Sequence, residues 1–159
     1  MKTELSATPR PQGCTNLKLR QFMRRMGQHY DAQMVLVGLK TTQYSLLAFV
    51  DKLGPLRPGE LAAQLKMDAS TLTRNLKPLV DAGWLAVGAG SDARSRLVAI
   101  TSEGRAKRTE AKRHWRKAQD GLNRQLGLEQ VAALHELIDE AMRKLSPEFT
   151  QAADDEQSA

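Results

Sequence analysis

Apolar residues recur at three- and four-residue steps through Leu19, Phe22, Met23, Met26 and Tyr30, the spacing that lays one stripe along a helix. The pattern predicts a first helix over roughly 16–34, closed by the run Val35 to Leu39. Thr41 or Thr42 is placed to cap a second helix, about 42–53, whose apolar side carries Tyr44, Leu47, Phe49, Val50 and Leu53 and which stops at Gly54-Pro55. Pro58 suits the first turn of a third helix, Pro58 to Lys66, with Leu61, Ala62 and Leu65 facing inward. Met67-Asp68 is expected to form the turn into a fourth helix over about 69–82.

On a wheel of about 100° per residue, Leu72, Leu76, Leu79 and Val80 share one side of that fourth helix, opposite Ser70, Arg74, Lys77 and Asp81, with Thr71 and Thr73 flanking the polar face. Small hydroxyls beside long cations are the chemistry that reaches phosphates and base edges. Pro78 removes the bond to the carbonyl of Arg74, so a kink is expected there. Next come two β-prone runs, around Val87 and over Leu97 to Ile100, joined by a Gly/Ser-rich loop holding Asp92, Arg94 and Arg96. Thr101 can cap a fifth helix, about 102–126, with Ala111, Trp115, Ala118, Leu122 and Leu126 as its stripe. Past Gly127, the residues Val131, Leu134, Leu137, Ile138 and Leu145 mark a sixth.

A helix-turn-helix followed at once by a cation-bearing hairpin reads as a winged helix: a mainly α fold with a small β-hairpin wing (α+β). The first, fifth and sixth helices carry more apolar surface than so small a core covers, and a second copy of the chain is the simplest partner for it. The expected organisation is a flexible arm over 1–15, an N-terminal dimerisation helix over 16–40, a DNA-binding domain over 41–101, C-terminal dimerisation helices over 102–147 and an acidic tail over 148–159.

Composition sharpens this. The chain has 159 residues, 41% of them hydrophobic, and a formal charge of +6, which suits a polyanionic partner. Its cations concentrate between Arg74 and Lys117. No apolar run approaches the roughly 20 residues of a membrane span and no secretory core follows the N-terminus, so the expected location is cytoplasmic. One cysteine, Cys14, forms no intramolecular disulfide, in agreement with a reducing compartment. An enzyme is disfavoured: the chain holds no G-x-S-x-G, no H-E-x-x-H and no phosphate loop. His29, His114 and His135 are too dispersed for a metal site, so neither metal nor cofactor is expected.

The helix pair P-G-E-L-A-A-Q-L-K-M-D-A-S-T-L-T-R-N-L-K-P-L and the wing D-A-R-S-R-L-V-A-I-T resemble the MarR family of winged-helix transcription regulators, and the resemblance extends from Asn16 to Leu145. The wing, with its D-x-R-S pattern and following I-T, is the specific part. The resemblance implies a homodimer in which the first, fifth and sixth helices intertwine, and two recognition helices that enter successive major grooves of a pseudo-palindromic double-stranded operator. It also implies that Arg94 enters a minor groove at each wing tip, oriented by Asp92. The expected DNA-binding residues are therefore Ser70, Thr71, Thr73, Arg74, Lys77, Asp92, Arg94 and Arg96. Arg105, Lys107, Arg108, Lys112 and Arg113 read instead as a solvated helix face interleaved with Glu103 and Glu110.

In the family, small aromatic acids and phenols bind between the winged helix and the dimer helices. The corresponding effector pocket here is Arg24, Met26, Tyr30, Leu47, His114 and Trp115, with Arg24 or His114 meeting a carboxylate. Met23, Met26 and Met34 fit core or dimer packing better than a cofactor box. Cys14 invites the alternative of a redox-sensing regulator. The hydroperoxide-sensing branch of the family has a tyrosine where Lys18 stands and another at the position of Thr41, so an unreactive thiol is the expectation. The remaining alternative is an architectural winged helix with no effector.

Overall fold

The computed structural model describes residues 10–90 and 96–145. The expected elements are present: α1 (Thr15–Met34), a 3-10 turn (Val35–Val37), α2 (Thr41–Leu53), α3 (Pro58–Gln64), α4 (Ala69–Asp81), β1 (Leu85–Ala89), β2 (Arg96–Ile100), α5 (Ser102–Leu126) and α6 (Leu128–Lys144). The strands pair antiparallel from Leu85↔Ile100 to Ala89↔Arg96. Leu56 adds a one-residue bridge on the outer side of β2, its N–H 3.2 Å from the Val98 carbonyl and its own carbonyl 2.9 Å from the Val98 N–H. One residue has no period, so no hydrophobic pattern announced it.

The chain divides into two compact units between Trp115 and Arg116. In the first, Met34, Val37 and Leu39 join Leu46, Leu47 and Val50 of α2, Leu61 of α3, Leu72, Leu76 and Leu79 of α4, Leu85 and Val98 of the hairpin and Ala111 of α5 in a single core. Of the inward faces expected of α3 and α4, Leu61, Ala62, Leu72, Leu76 and Leu79 are buried, and Leu65 and Val80 are half-buried against the core. Leu47 is wholly enclosed in this core, so it supports the fold and has no surface to offer a ligand in this conformation. In the second unit Ala118, Leu122 and Val131 are buried, whereas Leu128, Leu137, Ile138 and Met142 of α6 and Leu145 just after it are exposed. On α1, Leu17, Leu19 and Met23 are exposed as well.

Three connections end in the same device. After the 3-10 turn, after α3 and after α4 the chain takes a left-handed residue, Gly38 (φ 67°), Lys66 (φ 54°) and Gly83 (φ 75°). In each, the next N–H bonds back across six residues: Leu39 to Met34, Met67 to Ala62 and Trp84 to Leu79, at 3.1, 3.0 and 2.9 Å. This satisfies helix-end carbonyls. The turn between α3 and α4 thus sits at Leu65-Lys66, not at Met67-Asp68, because the left-handed residue is a lysine where glycine would have signalled it. Asp68 belongs to α4 as its N-cap, accepting from the Thr71 N–H at 2.8 Å. The helix continues through Pro78 to Asp81.

The start of α2 also differs from expectation. Lys40, not a threonine, is its N-cap. The N–H of Lys40 donates to Gln43 Oε1 at 2.8 Å, while Thr41 donates both its N–H (2.8 Å) and its hydroxyl (2.6 Å) to Asp31 Oδ1 of α1. A carboxylate ten positions upstream thereby serves an orphan donor that a local side chain usually satisfies.

Candidate nucleic-acid interface

The polar face of α4 is exposed over its whole length. Ser70, Thr73, Arg74, Lys77 and Asp81 lie in solvent, Thr71 is half-buried, and the leucines behind them are closed off. Each side chain on this face has a defined polar partner. Ser70 Oγ donates to Asp68 Oδ1 at 2.6 Å and Thr71 Oγ1 to Asp68 Oδ2 at 2.7 Å. Those hydroxyls and the Thr71 N–H hold the Asp68 carboxyl far below the usual carboxylate range. Thr73 Oγ1 donates to the Ala69 carbonyl at 2.8 Å. Arg74 folds back along the helix, with Nε 3.3 Å from the Ser70 carbonyl and Nη2 3.4 Å from Thr71 Oγ1. Lys77 pairs with Asp81 at 2.7 Å. That pair is solvent-exposed on both sides and contributes little, so Lys77 is readily given up to a stronger anion.

The wing is anchored at its base. Thr101 Oγ1 donates to the Gly83 carbonyl at 2.7 Å and accepts from the Gly104 N–H at 3.0 Å, while the Thr101 N–H reaches the Trp84 carbonyl at 3.1 Å. One threonine so caps α5, as expected, and ties it to the end of α4. Arg96 stands exposed at the start of β2, opposite Ala89. Asp92 and Arg94 lie outside the described residues.

The cations at the start of α5 correct an expectation. Arg108 is only 28% exposed and approaches Asp51 Oδ2 of α2 at 3.2 Å, with Arg105 3.9 Å from the same carboxylate. Lys107, 19% exposed, bonds Glu110 at 3.0 Å and lies 5.4 Å from the centre of the Trp84 ring. These residues brace α5 against α2 and the wing base and are not a freely solvated face. The signal was hidden because a charge run looks alike whether its partners are water or a carboxylate over fifty positions away.

The expected effector residues are distributed as follows. Arg24 is exposed, and Met26 and Tyr30 are half-buried. The Tyr30 ring stands edge-on to His29 at 5.6 Å, and burial pushes its hydroxyl above the ordinary tyrosine value. Trp115 is half-buried and stacks on Tyr44, centroids 6.3 Å apart, a partner the sequence reading did not assign. His114 is half-buried, and its Nδ1 is buried without a hydrogen-bond partner. Cys14 is exposed at the N-cap position of α1. Among the described residues no cluster of three or more His, Cys, Asp or Glu could hold a metal, and no helix is long and apolar enough to cross a membrane.

Comparison with known proteins agrees with this geometry. Residues 37–95 match the model of the MarR family. An HTH-type transcriptional regulator of Bacillus subtilis, YwoH, is 31% identical over 90 residues, which make up 57% of this chain and 66% of YwoH. The chain thus spans about two thirds of that curated relative. Among solved structures, the M. tuberculosis transcriptional regulator MosR in complex with DNA is 32% identical, with 82% of this chain and 99% of that one covered at a TM-score of 0.67. The repressor CouR bound to p-coumaroyl-CoA shares the fold at 20% identity and a TM-score of 0.76, over 83% of this chain and 94% of its own. A helix-turn-helix with an exposed polar face, a hairpin tied to its end by Thr101, and relatives that regulate transcription on this same fold leave one assignment: the chain belongs to the MarR family of winged helix-turn-helix transcriptional regulators.

Proposed function

We propose that the protein is a repressor that binds a pseudo-palindromic operator as a homodimer and leaves it when a small aromatic acid or phenol binds. The observation that carries the DNA reading is the outer face of α4, hydroxyls then cations, held against a closed core by Leu72, Leu76 and Leu79. The DNA complex of MosR, 32% identical, supports it. The exposed apolar residues of α1 and α6 support the dimer. On this reading Ser70, Thr71, Thr73, Arg74 and Lys77 meet the major groove, Arg94 enters the minor groove, oriented by Asp92, and Arg96 completes the DNA-binding set at the start of β2. A guanidinium is suited to the negative potential there. The protein works where the DNA is, in the cytoplasm.

Footprinting tests this. Two protected half-sites are expected, with centres about one helical turn, roughly 10 bp, apart. Arg94→Ala is expected to weaken operator binding by about 1–3 kcal/mol at physiological salt. Unchanged affinity would remove Arg94 from the interface and move the minor-groove role to Arg96.

The effector reading rests on a polar atom without a partner: His114 Nδ1 is buried and makes no hydrogen bond, and Trp115, the next residue along α5, is half-buried. Such a group gains most from an incoming carboxylate. A ligand acts only through its preference for the dimer that does not bind DNA. Benzoates and phenols are therefore expected to release the operator from both wild type and Cys14→Ser. Release by organic hydroperoxide alone, lost in Cys14→Ser, would replace the pocket with Cys14 as a redox sensor.

A further inference from the structure

The hydroxyls on the exposed face of α4 have a fixed polarity. An ionised carboxylate and a peptide carbonyl can only accept hydrogen bonds. Ser70 Oγ lies 2.6 Å from Asp68 Oδ1, and Thr73 Oγ1 lies 2.8 Å from the Ala69 carbonyl. In both pairs the hydroxyl must therefore give its one proton to the protein. What each exposes outward is lone pairs. Ser70 and Thr73 are both exposed and, with Arg74 and Lys77, occupy one arc of the helix.

Docking on DNA reinforces this arrangement. Water leaves the interface, and a duplex of phosphates and base acceptors offers Asp68 few donors in exchange for Ser70. A Ser70 hydroxyl that turned outward to donate would take from Asp68 one of its three donors and leave it only those of Thr71, and weakening the hydrogen bonding of a desolvated charge costs more than one ordinary hydrogen bond contributes. With their protons committed inward, Ser70 and Thr73 are also poor partners for phosphate oxygens, which only accept. In the major groove the donors on base edges are the exocyclic amino groups, adenine N6 and cytosine N4, whereas guanine presents only acceptors and thymine an acceptor and a methyl. Arg74 and Lys77, which have only donors, suit those acceptors.

Resting on the reading of α4 as the recognition helix, we propose that Ser70 and Thr73 act as hydrogen-bond acceptors in the operator complex. Each thereby selects a base that carries an exocyclic amino group at the position it faces.

The test starts from full-length protein and a random-sequence duplex library, from which the preferred site is selected. In that site each adenine is replaced in turn by purine, and each cytosine by pyrimidin-2-one, which deletes the amino group and leaves the ring. For the wild type, deletion at one base facing each hydroxyl is expected to weaken binding about five- to tenfold, the scale of one base contact. Ser70→Ala should lose about the same on intact DNA and nothing further on DNA lacking the amino group it reads. Thr73→Val should behave likewise at its own base. If either variant proves unstable, the amino-deletion series on wild type and the remaining variant still decide. Coupling of Ser70 or Thr73 to a base carbonyl or to N7, or to no base at all, overturns the assignment. Failure to select any sequence from the library would instead overturn the DNA-binding reading beneath it, a different result from selection that persists unchanged in both variants.

Discussion

Replacing Ile138 and Met142 together by aspartate is expected to leave a folded monomer that binds the operator about 10²–10⁴-fold more weakly than the wild type. The two residues are one turn apart on α6, 43% and 57% exposed, on the stripe that begins with the buried Val131. Substitution there removes no packing from the core of either unit, so helicity and thermal unfolding of the single chain should change little. In the proposed dimer these positions meet apolar surface of the second copy. Four aspartates buried across the two-fold axis would each lose hydration without a cation to replace it. A monomer then holds one half-site, and the gain from tethering two recognition helices disappears. Analytical ultracentrifugation and a gel shift on one operator duplex read both effects. A wild type that sediments as a monomer at micromolar concentration, or a variant that stays dimeric with full affinity, would rule out this face as the interface.

The second large effect belongs to Gly104. In helices, replacing glycine by alanine ordinarily stabilises by up to about 1 kcal/mol. Gly104 reverses that sign. A Cβ there would collide with the carbonyl oxygen of Trp84 and come within 2.8 Å of Ile100 Cγ1 and 2.9 Å of the Trp84 carbonyl carbon. Two of the three atoms are backbone, so no side-chain rotation makes room. The first turn of α5 would have to move away from β1, loosening the bonds of Thr101 to Gly83 and Trp84. Overpacking of this kind costs about 1–3 kcal/mol, and each weakened hydrogen bond adds about 1 kcal/mol. Gly104→Ala is therefore expected to destabilise by about 3 kcal/mol, read as a fall of roughly 6–12 °C in thermal midpoint for a chain of this size. Gly59→Ala in α3, where an added Cβ meets nothing within 4 Å, serves as the control and should be neutral or slightly stabilising. Equal behaviour of the two variants would show that α5 does not seat on the Trp84 backbone in solution.

Much of the architecture could be read from the chain, because what decides helix positions is local. The three-and-four spacing of Leu72, Leu76 and Leu79, Pro58 at a first turn and Thr101 before a polar run each act within a few residues, and the elements they predict begin and end within a residue or two of those observed. What escaped depends on pairs distant in sequence. Asp31 with Thr41, Asp51 with Arg105 and Arg108, and Leu56 with Val98 bring together residues ten to more than fifty positions apart. Each looks ordinary in its own neighbourhood. Gly104 escaped for the same reason, since the backbone that excludes its side chain lies twenty positions upstream. On α4, the wheel showed which side chains face outward. The direction of their protons was hidden, because it depends on Asp68 serving as the cap of α4.

Met34, Val37 and Leu39 share one closed core with the inner leucines of α4, and Asp31 holds the first residue of α2. Interiors packed to crystal density compress very little. The tail of the first helix is therefore part of the footing on which α4, the proposed recognition helix, stands. For anyone building chimaeras, a reading head cut from a relative at the start of the second helix would arrive without its footing. Grafts joined upstream of Asp31 carry the carboxylate and the three apolar plugs together and transplant a self-sufficient module.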